Sequence, residues 1–182
     1  MKNLVIVYSA FIFLIACEKS DPIIPNEEEV ITTLIYTLSP ISGGAPRVFK
    51  FVDLDGNGGN APVVEVDPLE VNQIYQGQLQ LKNEQNFPID DISQEILEED
   101  EEHQFFFQTT LAGLEIKYAD ADGNGNPVGL ATTVTCGTVG TGRLTITLRH
   151  EPDKMALGVA EGDLNNAGGE TDIEITFDID VQ

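Results

Sequence analysis

The decapeptide TDIEITFDID, residues 171–180, sets Ile173, Ile175, Phe177 and Ile179 at alternate positions, with Asp172, Glu174, Thr176, Asp178 and Asp180 between them. Successive side chains of a strand point to opposite faces, so this spacing predicts a strand with one apolar and one hydrated face. RLTITLRH at 143–150 repeats the pattern with Leu144, Ile146 and Leu148, and QIYQGQLQLK at 73–82 with Tyr75, Leu79 and Leu81. Shorter runs at 30–38, 48–53, 63–66, 103–109, 114–118 and 130–136 read the same way. Between them lie turn formers such as SPISGGAP, GNGGNAP, GTVGTG and NNAGG. This rhythm predicts an all-β fold: an antiparallel β-sandwich of about eight or nine strands in immunoglobulin-like or Greek-key order. Long helical patterns are missing, so a parallel α/β sheet would lack its covering layers.

One segment breaks the rhythm. DDISQEILEEDEE, residues 90–102, carries eight acids in thirteen positions. Ile92, Ile96 and Leu97 make an apolar stripe, and Asp91 with Gln94 has capping-box spacing, so a short acidic helix is predicted to lie on the sandwich. Its acids crowd the C-terminal end, where they oppose the helix dipole and favour fraying.

The N-terminus fixes the compartment. Lys2 precedes an apolar run from Leu4 to Ala16, which as a helix would rise about 20 Å against a hydrocarbon core of roughly 30 Å. That length and the flanking charge suit a secretion signal over residues 1–16. The run ends in Leu14-Ile15-Ala16-Cys17, which resembles a bacterial lipobox; the resemblance implies cleavage after Ala16 and acylation of Cys17. Two or more acyl chains hold a protein stably on a membrane. Residues 17–29 then form a lipidated, acidic, proline-containing tether, and 30–182 a single domain. Glu18-Lys19-Ser20-Asp21 partly resembles the signals that send Bacteroidota lipoproteins to the outer face of the outer membrane. Periplasm-facing and surface-exposed placements both stay open.

Charge narrows the partners. Asp and Glu number 31 against 9 Lys and Arg, a net charge of −22. Phosphate binding depends on positive charge, so nucleic acid is disfavoured, as is direct adhesion to anionic lipid. A cation, a basic partner surface or another envelope protein remains compatible, with the membrane reached through the N-terminal lipid. With Cys17 acylated, Cys136 is the remaining thiol; its place in a strand pattern predicts a small buried hydrophobe.

Two loops raise the question of calcium. Asp53, Asp55 and Asn57 are followed by Gly58; Asp120, Asp122 and Asn124 are followed by Gly125. Oxygens at alternate positions of a tight loop can converge on a hard cation. The bidentate glutamate that an EF-hand needs at its twelfth position is Val64 in one loop and Ala131 in the other. A weaker calcium loop completed from elsewhere, with Asp163, Glu170 and Asp172 as candidate donors, competes with plain turns stabilised by Asp and Asn bonding their own backbone. The turn reading is preferred; no cofactor is required by it.

Catalytic signatures are sparse. There is no Gly-x-Ser-x-Gly elbow, no phosphate-binding loop and no His-Glu-x-x-His sequence. His103 and His150 could ligate zinc or copper with an acid, but without paired spacing they read as strand-end histidines bonded to carboxylates. Phe105, Phe106 and Phe107 cover both faces of one strand, and Phe106 is expected to pack under the acidic helix, with contact to a ligand as the alternative.

ITTLIYTLSP at 31–40, FVDLDGNGGNAP at 51–62, EEHQFFFQ at 101–108, DADGNGNPVGL at 120–130, LTITLRHEPDK at 144–154 and NAGGETDIEITFDI at 166–179 together resemble a group of small flavobacterial lipoproteins labelled "type 1 periplasmic binding fold superfamily protein". The label implies two α/β lobes closing on a small ligand, in disagreement with the alternation above; the resemblance supplies no site residues. The residues therefore point to a lipid-anchored envelope protein with a non-catalytic binding or structural role. Solute capture, a weak calcium-binding module and an envelope enzyme are the alternatives.

Overall fold

The computed structural model describes residues 29–56 and 58–182; the signal segment, Cys17 and most of the tether lie outside the described residues. Each predicted alternation becomes a strand: β1 (Thr33–Pro40), β2 (Arg47–Val52), β3 (Val63–Val66), β4 (Ile74–Lys82), β5 (His103–Thr109), β6 (Leu114–Tyr118), β7 (Ala131–Cys136), β8 (Gly140–His150) and β9 (Glu170–Val181). They form two antiparallel sheets, one ordered β3-β2-β1-β4-β7-β6 and the other β5-β8-β9. Strands β1 to β4 stand in the spatial order of a Greek key, three consecutive strands with the fourth returning beside the first. Among the described residues, the two α/β lobes implied by the group label are not formed, because side chains of period two leave no amphipathic helices to cover a parallel sheet.

The inner faces interlock as the alternation requires. Leu34, Tyr36 and Leu38 of β1, Phe49 of β2 and Tyr75, Leu79 and Leu81 of β4 pack against Phe105 of β5, Leu144, Ile146 and Leu148 of β8 and Ile175, Phe177 and Ile179 of β9. Phe49 and Phe177 meet across the gap with ring centroids 5.7 Å apart. Leu69, between β3 and β4, bridges to Val181 and ties the large sheet to the end of β9. Cys136 is 1 % exposed within this core, as its strand parity predicts.

One glycine is required by close approach. Gly77 lies on the inner face of β4, where a Cβ would stand 2.7 Å from the Tyr36 hydroxyl and closer still to Thr132 Oγ1. Those two hydroxyls share a buried 2.6 Å hydrogen bond. Gly77→Ala is expected to cost about 1–3 kcal/mol by overpacking, measured by denaturant unfolding. Adding Thr132→Ser would not relieve it, because serine keeps the clashing Oγ and the Tyr36 ring stays in place.

The acidic helix α1 (Ile92–Glu98) is shorter than the segment that suggests it. Asp91 caps it, accepting a hydrogen bond from the Ser93 amide at 3.2 Å, and the helix stops before the acidic cluster at 99–102. Like charge against the negative end of the helix dipole accounts for the early stop. Ile92 and Ile96 enter the main core, and Ser93 Oγ accepts from the Leu81 amide at 2.6 Å, docking the helix on β4.

Phe106 does not pack under this helix. It faces the opposite side of the small sheet, where the 151–169 connection folds over it with Val159 and Ala167. Gln104, two residues before on the same face, holds that connection by donating to the Val159 carbonyl at 2.8 Å. Parity explains the correction: α1 sits on the core side, and Phe106 on the outer side.

Candidate metal centre

The inner apolar row of β5 runs Phe107, Phe105, His103, and that of β8 runs Leu144, Ile146, Leu148, His150. The strands pair so that His103 stands directly opposite His150, which puts both rings on one face. Their centroids are 4.6 Å apart. Core periodicity thus ends, at this rim of the sandwich, in two imidazoles.

A bulge brings the first carboxylate. Leu148 pairs with Ile173 but Arg149 pairs with Thr171, so Asp172 is the extra residue on β9. Strict alternation sends Asp172 outward with Glu174. The bulge re-aims it, as bulges do, and its side chain is 0 % exposed. Asp172 Oδ2 lies 3.9 Å from His103 Nε2.

The second carboxylate comes from the chain entering β1. Glu29 Oε1 lies 3.0 Å from His103 Nε2. On the other side of the ring, His103 Nδ1 lies 3.1 Å from the Glu99 carbonyl just beyond α1. Donation from Nδ1–H to that carbonyl orients the ring with Nε2 towards the two carboxylates. His150 Nε2 lies 3.8 Å from Glu102 Oε2, and His150 Nδ1 is buried without a hydrogen-bond partner among the described residues.

Electrostatics follow from this packing. Burial disfavours charge on His103, but the hydrogen bond and charge of Glu29, the Glu99 carbonyl and Asp172 outweigh it and raise the imidazole above its ordinary range. Burial likewise works to raise Glu29, and His103 outweighs it, so the carboxyl sits below its usual value. Glu29, His103, His150 and Asp172 each offer a donor atom within 4.8 Å of the others.

The Asp-Gly-Asn loops are built differently. Asp120 accepts from the Gly129 amide at 2.8 Å and the Ala131 amide at 2.7 Å. Asp122 Oδ1 accepts from the Asn124 and Asn126 amides at 2.9 and 2.8 Å, and its Oδ2 receives the Lys154 ammonium at 3.0 Å. Asn124 contributes its backbone amide to this turn. At the earlier loop, Asp55 Oδ2 accepts from the Asn60 side chain at 2.7 Å, and Asp53 donates its amide to the Thr32 carbonyl at 2.8 Å. Asn57 lies outside the described residues. Of the candidate calcium donors, Asp163 caps a short 3-10 turn at Leu164–Asn166, Glu170 is exposed, and Asp172 belongs to the histidine cluster instead.

Two further features bear on function. Burial pushes the Cys136 thiol up to about 11, which keeps it protonated and a poor nucleophile at neutral pH. A cavity of about 180 Å³ between β3 and the end of β9 is lined by Val66, Asp67, Pro68, Asp178, Asp180 and Gln182. Small-molecule sites usually span roughly 300–1,000 Å³ with mainly apolar walls. Compared with models of protein families, with curated proteins and with solved structures, the chain matches none.

Proposed function

We propose that this chain is a lipid-anchored lipoprotein of the cell envelope, seated in the outer membrane, whose β-sandwich serves a non-catalytic binding or structural role. The observation that carries the reading is Cys17 directly after the apolar run Leu4–Ala16. Its acyl chains would be the membrane attachment, with the acidic tether spacing the sandwich from the bilayer. No helix of the described residues is long and apolar enough to cross a membrane. The likeness to flavobacterial lipoproteins agrees with this placement. The net charge of −22 favours a cation or a basic envelope partner over nucleic acid. The buried thiol gives little support to a cysteine enzyme.

Cys17→Ala tests the anchor. The variant is expected to leave the membrane fraction and to lose incorporation of labelled palmitate, while its melting temperature stays within a degree or two of the parent. Unchanged fractionation and unchanged labelling would contradict the proposal.

A further inference from the structure

We infer that Glu29, His103, His150 and Asp172 form a closed site for a divalent transition-metal ion of the zinc type.

The donor set selects the ion class. Two imidazoles and two carboxylates are ligands for zinc and neighbouring d-block ions, whereas calcium takes six to eight oxygens. The number of protein donors equals the four of a tetrahedral structural site. Burial agrees: His103 is fully buried, the Asp172 side chain is at 0 %, and the Glu29 side chain at 9 %. A catalytic zinc keeps a position open to water or substrate; four protein donors in a nearly closed rim leave none.

Distances fit after a small contraction. Bonds of about 2.0–2.2 Å to a tetrahedral ion put neighbouring donor atoms roughly 3.3–3.6 Å apart. The spacings of 3.0 Å from His103 to Glu29 and 3.9 Å from His103 to Asp172 bracket that value. The widest spacing within the cluster is no more than 4.8 Å, so closing on an ion asks each side chain to move by less than an ångström or so.

Two details resemble supports rather than accidents of packing. Ligating histidines characteristically donate their other ring N–H to a carbonyl or carboxylate, which fixes tautomer and orientation. The Glu99 carbonyl stands in that position for His103. The second is His150 Nδ1, buried without a hydrogen-bond partner among the described residues. A buried polar atom left unsatisfied is costly and rare; a metal bond would satisfy it. The bulge at Asp172 completes the set by turning an outward acid inward.

The site has a mechanical consequence. Glu29 is the last residue of the acidic tether, and the other three donors come from β5, β8 and β9. An ion here fastens Glu29 to the small sheet, so the metal adds stability where the described chain enters the domain. Such a site is structural, and it stands or falls independently of whether Cys17 carries lipid.

The test uses the full chain without a histidine tag, purified in detergent, stripped with chelator and titrated with zinc by calorimetry. Saturation at one equivalent is expected. With free zinc a hundredfold above Kd, the melting temperature should rise by about 5–10 °C. Cobalt should give the intense visible bands of a tetrahedral nitrogen–oxygen site. Asp172→Asn should weaken binding at least tenfold and His150→Ala by about a hundredfold or more, beyond the effect typical of a supporting residue. Glu102→Gln, which alters the exposed carboxylate 3.8 Å from His150 Nε2, should weaken binding far less than His150→Ala. Absence of saturable zinc binding overturns the inference, as does wild-type affinity in both Asp172→Asn and His150→Ala, or a loss in Glu102→Gln as large as that in His150→Ala. Should His150→Ala fail to fold, Asp172→Asn and the cobalt spectrum of the unaltered chain decide.

Discussion

Asp122→Ala is expected to destabilise the domain by about 3–5 kcal/mol, because it leaves the Lys154 ammonium buried without its counter-charge. For a domain of this size that lowers the melting temperature by roughly 10 °C. The side chains of Asp122 and Lys154 are only 1 % and 5 % exposed. Lys154 also donates to the Asp100 carbonyl, so one ammonium joins the segment after α1, the β6–β7 loop and the β8–β9 connection. Asp122→Asn keeps an oxygen for the Asn124 and Asn126 amides and should lose less. Pairing it with Lys154→Met removes both charges, and should recover a large part of the loss, since apolar replacement of a buried ion pair is often close to neutral. Denaturant unfolding of the three variants distinguishes the outcomes.

The same pair predicts a pH dependence with a definite sign. Burial works to raise the Asp122 carboxyl, but Lys154 and the amides of Asn126 and Asn124 outweigh it and hold the group below the ordinary carboxylate range. Its stabilisation is therefore full above the unfolded pKa of about 3.9 and lost as pH falls through the folded value. The gap between the parent and Asp122→Asn should be constant near neutrality and should narrow below about pH 4.

Phe177→Ala is expected to cost about 3–5 kcal/mol, measured by denaturant unfolding. Phe177 is fully buried on β9 and meets Phe49 of β2 across the two sheets. Its removal opens a cavity lined by both layers, which the strand ladders on either side keep from collapsing. In a double-mutant cycle, Phe177→Leu and Phe49→Leu should show a coupling of about 0.5–1.5 kcal/mol. Additive losses would mean that the two rings do not touch, and would contradict the inter-sheet packing described above.

Much of this architecture was legible because strand parity is a local property. In TDIEITFDID the same residues that alternate in sequence alternate between core and water in the sheet, from Ile175 to Ile179. The position of α1 was legible for a similar reason: Ile92 and Ile96 are one helical turn apart and both reach the core. The helix is short, as expected, and ends at Glu98, where the acids that follow oppose the dipole.

The metal centre was less legible, for reasons that can be named residue by residue. Parity does carry half of it: His103 shares a face with Phe105, and His150 with Leu148. What one strand cannot reveal is its partner, and here β5 and β8 are set in register so that the two histidines coincide. Asp172 is concealed further, because a single bulge between Leu148 and Arg149 reverses its parity. Glu29 looks like one more acid in a solvated tether until the start of the chain's described segment folds back onto His103. The Asp-Gly-Asn loops mislead in the other direction. Their spacing imitates a calcium loop, yet at Asp122 the positive charge comes from Lys154, which lies 32 residues further along the chain.

Crystals of the full chain soaked in zinc, with diffraction measured on both sides of the zinc absorption edge, test the central claim most directly. One anomalous peak is predicted, within bonding distance of His103, His150, Asp172 and Glu29. A map with no peak there, or with its principal peak at the 120–125 loop or at the more exposed group of Glu102, His150 and Glu151, would contradict the account.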